Sequence, residues 1–482
     1  MDTNKFYYLL IVVFISSCGV LKQPGLQLDA SQSVALRYSN TIDINDLKEY
    51  LKKLSSDEFE GRETTKEGQK KAAHFIKEQF IKANISSPIK DSNTYFQQFP
   101  VEVLDFSAVD LIINTSKLKF LDEYYSFGSP FNSSYTQLLL IKSKLLNNPI
   151  ISEDNYNGKA VLIIGDTSLE NHQVSWRKQM NYASSKGAKA IIFQKPNYTK
   201  TDLRIKEQIM KPYMKMHGNN KPKTHIPVFV VDDAALQKSL KDSINTITFS
   251  TNTRRIKFSE NVLGFIPGVS NEIIVISAHY DHIGYDNGQI CNGADDDGSG
   301  TSALMAVAKS FQKAYDDGFI PQRGILFLAV SGEEKGLFGS RYYTENPIFP
   351  LSKTVADLNI DMVGRKDTLH VNNNYIYLIG SDRISKELHL ISEEINKKHI
   401  FFNLDYTYNK KDDPNRFYQR SDHYNFAKNN IPVIFYFGGI HEDYHKPTDD
   451  FEKIDFFKLE RVSRFVFLTA WELAYRKKTL TK

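Results

Sequence analysis

Ile273-Ile274-Val275-Ile276-Ser277-Ala278-His279-Tyr280-Asp281 joins a β-branched run to a polar His-x-Asp pair. The run does not alternate with polar residues, so it suits a strand covered on both faces, as in the interior of a parallel sheet. The pattern recurs downstream. Gly324–Val330 is a second buried strand and leads into Ser331-Gly332-Glu333-Glu334. Val355–Ile360 is a third, followed by Asp361, and Pro432–Phe437 is another. Helical spacing fills the intervals over Thr301–Tyr315, Ser385–Lys398 and Phe457–Tyr475. Strands alternating with helices predict an α/β fold, a mostly parallel mixed sheet sandwiched by helices.

Working outward, Asp46–Leu54 and a segment from about Thr65 to Ala83 carry amphipathic helical spacing, with the loop Ser55–Arg62 between them. From about 105 to 250 the texture changes to short apolar runs separated by Asn/Lys/Ser-rich turns. Strands are expected at Gln137–Ile141, Ala160–Ile164, Ala190–Phe193 and Pro227–Val231, and a helix between Ser175 and Lys186. This region holds no acid/histidine cluster and is predicted to be an inserted β-rich domain. Residues 41–104 and 251–482 then form the main domain.

At the N-terminus Lys5 precedes the apolar run Phe6–Ile15, too short to span a bilayer but right for a signal peptide. Ile15-Ser16-Ser17-Cys18-Gly19 follows and resembles a bacterial lipoprotein box. The expectation is a lipoprotein signal over 1–18, lipidation of Cys18, a polar tether over 19–40, and a cell-envelope protein attached to the membrane by lipid only. A plain signal peptide or an uncleaved anchor is the other reading. The 61 basic and 57 acidic side chains, net +4, are spread along the chain without a basic block, which argues against a nucleic-acid partner. Only Cys18 and Cys291 occur, so neither a disulfide framework nor a cysteine-rich zinc site can be built. Cys291 is expected to be a packing residue.

Five side chains stand where ligands bind in open α/β sheets, at or beyond strand ends: His279, Asp296, Glu334, Asp361 and His445. Two imidazoles and three carboxylates suit zinc or a similar divalent ion. Three carboxylates exceed what one ion needs, and two ions sharing one carboxylate fit better. Asp281 is placed to orient His279 from behind. Asp295-Asp296-Asp297 is a run whose mutual repulsion calls for a cation. The following Gly298-Ser299-Gly300 looks like part of a phosphate loop, but the acidic run would repel a pyrophosphate. Glu333-Glu334 offers one carboxylate for metal and one for general base catalysis. His441 is expected to back the ligands or touch substrate, and the Tyr418 phenol to stabilise an oxyanion.

Taken together, these motifs make the segment from about 256 to 450 resemble the two-zinc aminopeptidase family that includes bacterial leucyl aminopeptidases and glutamate carboxypeptidase. The shared order is His-x-Asp, Gly-Ala-x-Asp, Glu-Glu, Asp, Tyr-x-x-Ser-Asp-His, His. The resemblance implies a zinc exopeptidase-like fold and two Zn2+ per chain. His279 and Asp361 would hold one ion, Glu334 and His445 the other, and Asp296 would bridge them. It also implies Glu333 as general base, Tyr418 as the residue polarising the transition state, and a cis peptide after Asp296. Asp57–Gly61-Arg62 fits the family's N-terminal segment. Tyr156–Val161 and Ser184–Ala190 make 105–250 look like a protease-associated domain. The implied function is hydrolysis of N-terminal residues from peptides by a dinuclear-zinc-activated water. Glutaminyl-peptide cyclotransferase and carboxypeptidase activities are the alternatives, the last drawing on Arg365, Arg416 or Arg420 as a carboxylate receptor.

Overall fold

The computed structural model describes residues 30–481 apart from 90–93, 105–108, 128–132, 145–154, 165–172, 196–212, 218–225 and 252–253. The signal peptide and Cys18 lie outside the described residues.

The main sheet has nine strands. In spatial order they are Asn403–Asp405, Tyr375–Ile379, Val433–Phe437, Thr354–Asp361, Ile273–His279, Gly324–Val330, Arg254–Ile266, Phe96–Leu104 and Tyr213–Met216. The central strands are parallel, with Ile273–His279 between Gly324–Val330 and Thr354–Asp361, and Val433–Phe437 beyond. Both central runs read from sequence as doubly covered are buried at every residue. Outside that centre the pairing reverses. Tyr375–Ile379 is antiparallel to Val433–Phe437, and Arg254–Ile266 and Phe96–Leu104 form an antiparallel extension. Parallel pairing is thus confined to the centre and to one short edge pair, a narrower share than the βαβ texture predicts. The antiparallel partners lie far apart in the chain: the second sheet separates Phe96–Leu104 from Arg254–Ile266, and helices Lys386–Ile395 and His423–Ala427 separate Tyr375–Ile379 from Val433–Phe437.

One face of the sheet is covered by helices Ile44–Leu54, Glu67–Lys82, Gly300–Asp316 and Phe456–Tyr475. Asp43 accepts the Asn45 amide (2.9 Å) to cap the first, which buries Leu47, Tyr50, Leu51 and Leu54. Asp455 caps the last in the same way. Residues 30–39, expected within the tether, form a helix, Ala30–Ser39. Tyr38 is fully buried, stacks on Trp471 and donates to Asp317 (2.6 Å). The ring contacts and burial of Tyr38 decide this, and they come from partners more than 270 residues away. The other face carries Phe338–Glu345 and His423–Ala427 around Leu263, Val275, Leu328 and Val433.

A second, eight-stranded sheet lies between residues 109 and 251. Ser133–Lys144, Ala160–Ile164, Ala190–Lys195 and Val228–Asp232 pair in parallel at its centre, with helices Gln173–Ser185 and Asp233–Ser239. It has its own apolar core on each face. The two segments singled out from sequence meet there. The Gly158 amide donates to the Gly187 carbonyl (3.0 Å) and the Lys189 amide to that of Lys159 (2.8 Å). The predicted bounds need one correction: Tyr213–Met216, inside 105–250, pairs with Phe96–Leu104 in the main sheet.

Candidate metal centre

The parallel strands deliver the predicted ligands to one edge. His279 and Asp361 are the last residues of their strands. Glu333 and Glu334 follow Gly332, whose φ of +81° turns the chain sharply after Gly324–Val330. His445 sits on the loop after Val433–Phe437, in the left-handed region at φ +57°.

The three consecutive aspartates have separate tasks. Asp295 accepts the Gly364 amide (2.6 Å) and turns its other oxygen to His441 Nε2 (3.3 Å). Asp297 accepts the amides of Gly300 (2.9 Å), Met362 (3.1 Å) and His279 (3.2 Å), tying three site segments together. Asp296 faces the cleft. Its Oδ1 lies 3.4 Å from His279 Nε2 and its Oδ2 3.1 Å from His445 Nε2. Two oxygens facing two different imidazoles is the geometry a bridging carboxylate requires. The Asp296–Asp297 peptide is cis.

Around Asp296 the ligand atoms fall into two poles. At one, His279 Nε2 is 3.6 Å from Asp361 Oδ1. Asp297 is also within reach of these residues, but its oxygens are engaged by the backbone amides above, whereas Asp296 Oδ2 has no hydrogen-bond partner. Asp296 is thus the one of the three aspartates whose oxygens face both poles. At the other pole, His445 Nε2 is 3.1 Å from Glu334 Oε2. Burial lowers the proton affinity of His445, but Asp296 and Glu334 raise its pKa to about 10. Burial raises Glu334, while His282 and His445 bring it down to about 2. Carboxylates ionised beside histidines with strongly raised proton affinity form a charge pattern that a divalent cation would take over.

Outer groups hold these ligands. His279 Nδ1 meets the backbone carbonyl of Asp281 (3.1 Å), with the Asp281 carboxylate at 3.7 Å. Asp281 thus meets His279 mainly through its main chain; its carboxylate accepts from Thr64 (2.7 Å) and the Glu333 amide (3.2 Å). Ser421 donates to Asp361 (2.6 Å). Asp449 accepts the amides of Asp295 (3.0 Å) and Asp296 (3.1 Å). His441 stands behind Asp295 rather than at either pole. Arg62, fully buried, donates to the carbonyls of Leu54 (2.6 Å), Tyr280 (2.7 Å), Asn292 (2.6 Å) and Gly293 (2.9 Å). It joins the N-terminal segment to the loops carrying His279 and Asp296.

Glu333 lies in the wall of a pocket beside the poles, whose apolar side is Met362, Phe417, Phe435, Phe437, Ile440 and Tyr444. Burial, with Glu334, Asp422 and Asp361 adding to it, holds Glu333 well above the usual carboxylate range, against the opposing pull of His279. Tyr418 does not line this pocket. Its ring packs beneath the Arg383 guanidinium (3.8 Å) and beside His423 (5.6 Å). The short turn Phe417–Gln419 presents Phe417 to the pocket instead, and Tyr444 supplies the phenol there. Of the three arginines, Arg365 pairs with Asp443 (2.8 Å) and Arg416 with Gln419. Arg420 lines the pocket and donates to the Tyr444 hydroxyl (3.3 Å). His282, which sequence reading passed over, places Nδ1 3.0 Å from Glu334 Oε1. The signal was present three residues after His279, but nothing in it pointed to Glu334.

The residues present fit divalent-metal binding: two groups of His and carboxylate donors, and buried oxygens without partners. Fold and site define an α/β protein with a histidine–carboxylate metal centre at the carboxyl edge of its sheet. Residues 261–470 match the model of peptidase family M28. Over 319 residues the chain is 25% identical to Aminopeptidase YwaD of Bacillus subtilis, covering 63% of this chain and 61% of that protein. It is 29% identical over 222 residues to a probable leucine aminopeptidase of Arthroderma benhamiae, covering 45% of this chain and 58% of that one. The matched region thus spans about three-fifths of these curated relatives. The aminopeptidase of Aneurinibacillus sp. strain AM-1 shares the fold at a TM-score of 0.57 and 20% identity, over 93% of this chain and 98% of that one. A zinc aminopeptidase from Bacillus subtilis shares it at 0.53 and 19%, over 92% and 98%.

Proposed function

We propose that the protein is a zinc-dependent aminopeptidase that removes N-terminal residues from peptides. The observation that carries this reading is the divergence of two adjacent carboxylates. Glu334 pairs with His282 and His445, whereas Glu333 pairs with no histidine among the described residues and stands in the wall of the aromatic pocket. His279, Asp361 and Asp296 would hold one zinc ion, and Glu334, His445 and Asp296 the second. Bound there, the ions would polarise the scissile carbonyl and lower the pKa of a water molecule. Glu333 takes the water proton and returns it to the leaving amine, a task served by its raised proton affinity. The carboxylate-rich floor suits the ammonium of a peptide N-terminus, and the aromatic wall suits an apolar side chain. The aminopeptidases among the relatives support the same reading.

One observation favours carboxypeptidase activity as the second reading: Arg420 stands at the pocket, where it would meet a substrate carboxylate. A panel of N-terminally blocked and C-terminally amidated peptides separates the two. We expect cleavage of amidated peptides and none of blocked ones; cleavage of blocked peptides from the C-terminus would refute the aminopeptidase reading. Two zinc ions per chain are expected by elemental analysis, and one zinc with cyclisation of N-terminal glutamine would mark a glutaminyl cyclotransferase instead.

The 105–250 region is a protease-associated-like insertion that restricts access to the site. The N-terminus is a lipoprotein signal, so the enzyme works in the cell envelope, on peptides, with no nucleic-acid partner and with lipid at Cys18 as its membrane attachment. Cys18→Ser is expected to release the protein from the membrane fraction, and unchanged fractionation would exclude lipidation.

A further inference from the structure

We propose that His282 is itself a metal ligand, so that the pole built on Glu334 carries two imidazoles, His282 and His445, against one at the His279 pole. This inference rests on the metal-centre reading above.

His282 is fully buried. Its Nδ1 lies 3.0 Å from Glu334 Oε1 and 3.8 Å from Asp296 Oδ2. These three buried atoms approach one another at ion-pair distance without a well-aligned hydrogen bond. A buried polar atom without a partner is rare, and three facing one another call for one common explanation. A cation between them satisfies all three. Metal–ligand bonds of about 2.0–2.2 Å place neighbouring atoms of a tetrahedral set roughly 3.3 Å apart, which the observed spacings bracket. His282, Asp296 and Glu334 thus form a ligand group without help from His445.

The ring is built into this position. Gly293 packs against it: at φ +56° a Cβ there would come within 2.6 Å of the imidazole. The His282 amide donates to the Arg62 carbonyl (3.3 Å), fixing the main chain beside the Asp296 loop. His445, by contrast, has a side chain 36% exposed and sits on a loop in left-handed conformation. The Glu334 pole then has one rigid interior imidazole and one at the solvent boundary. It should keep a weakened ion when His445 is lost.

The test is zinc binding by the full-length protein, read by chelator competition and elemental analysis with zinc chloride alone, together with a zinc-loaded crystal structure of the unmodified chain. His282→Ala is expected to lower the affinity of one of the two sites by more than about tenfold, the lower limit for losing even an outer partner of a metal ligand. His445→Ala should retain substoichiometric zinc at that site, and the double variant should bind one ion. In the zinc-loaded structure His282 Nδ1 should lie about 2.0–2.2 Å from an ion; this readout holds even if a variant fails to fold. Two bound zinc ions with His282 Nδ1 in contact with neither would overturn the inference and leave the aminopeptidase reading intact. Absence of zinc binding by the unmodified chain would overturn both.

Discussion

Replacing Arg62 by Met should damage both the fold and the metal centre, and the structure sets the size of the effect. The guanidinium is fully buried and donates to four carbonyls at 2.6–2.9 Å, with a fifth, Asp296 O, at 3.5 Å. The fifth is too long to count heavily. Methionine fills the aliphatic volume but leaves the carbonyls of Leu54, Tyr280 and Asn292 without this donor, while Gly293 keeps the Gly298 amide (3.2 Å). At the low end of about 1 kcal/mol per orphaned acceptor, the three give about 3 kcal/mol. Relief of the buried cation's desolvation offsets part of this. Burial opposes the Arg62 charge, while Asp296, Asp281, Asp297 and Asp449 lie close enough to favour it, and no carboxylate among the described residues pairs with it directly. Removing one side of a buried charged arrangement costs about 3–5 kcal/mol, and the expected loss falls in that range. Urea unfolding with zinc removed measures it. Because Tyr280, Asn292 and Gly293 flank His279 and Asp296, zinc affinity should also fall by about 10–100-fold. Arg62→Lys, which keeps the charge but cannot reach all four carbonyls, should fall between. A loss under about 1 kcal/mol with unchanged zinc affinity would refute the argument that these bonds hold the ligand loops.

Two further outcomes are expected. Glu333→Gln should lower kcat by about 10²–10⁴-fold, the usual share of a general base, while both zinc ions remain bound; near-full turnover would exclude the proposed role. Glu387 accepts from Thr481, Arg476 and Lys478, which bring its pKa down to about 2 from 4.5. A depressed carboxylate contributes stability that is present above its unfolded pKa and lost as pH falls through the folded one. The Tm gap between the wild type and Glu387→Gln should therefore be constant above about pH 5 and close between pH 4.5 and 2. A gap that widens over that interval would contradict the assignment.

The central fold was legible because its signals are local. A strand buried on both faces must be apolar throughout, so Ile273–Ser277 and Gly324–Val330 declare themselves without reference to any partner. The polar motif beyond each such strand marks the edge where ligands gather. The antiparallel flank was harder to read. Phe96–Leu104 mixes Gln and Glu with apolar residues, and its place in the main sheet depends on a partner more than 150 residues later. The helix Ala30–Ser39 has a weak apolar face, and it is Trp471 and Asp317 that anchor Tyr38. Tyr418 was assigned by motif, but a side chain's direction in a short turn is set by packing, here by Arg383 above its ring.

By itself the sequence determined the α/β class, the edge of the sheet where the chemistry gathers, and the residue types that bind metal there, because each follows from a few neighbours along the chain. Tertiary structure alone decided which oxygen of which carboxylate faces which imidazole. It divided the three aspartates into one that faces the cleft, Asp296, and two braces. It also brought His282 to Glu334, 3.0 Å away across two loops. Metal coordination is a relation among atoms converging from separate strands, and convergence of that kind has no spacing along the chain by which it could be read.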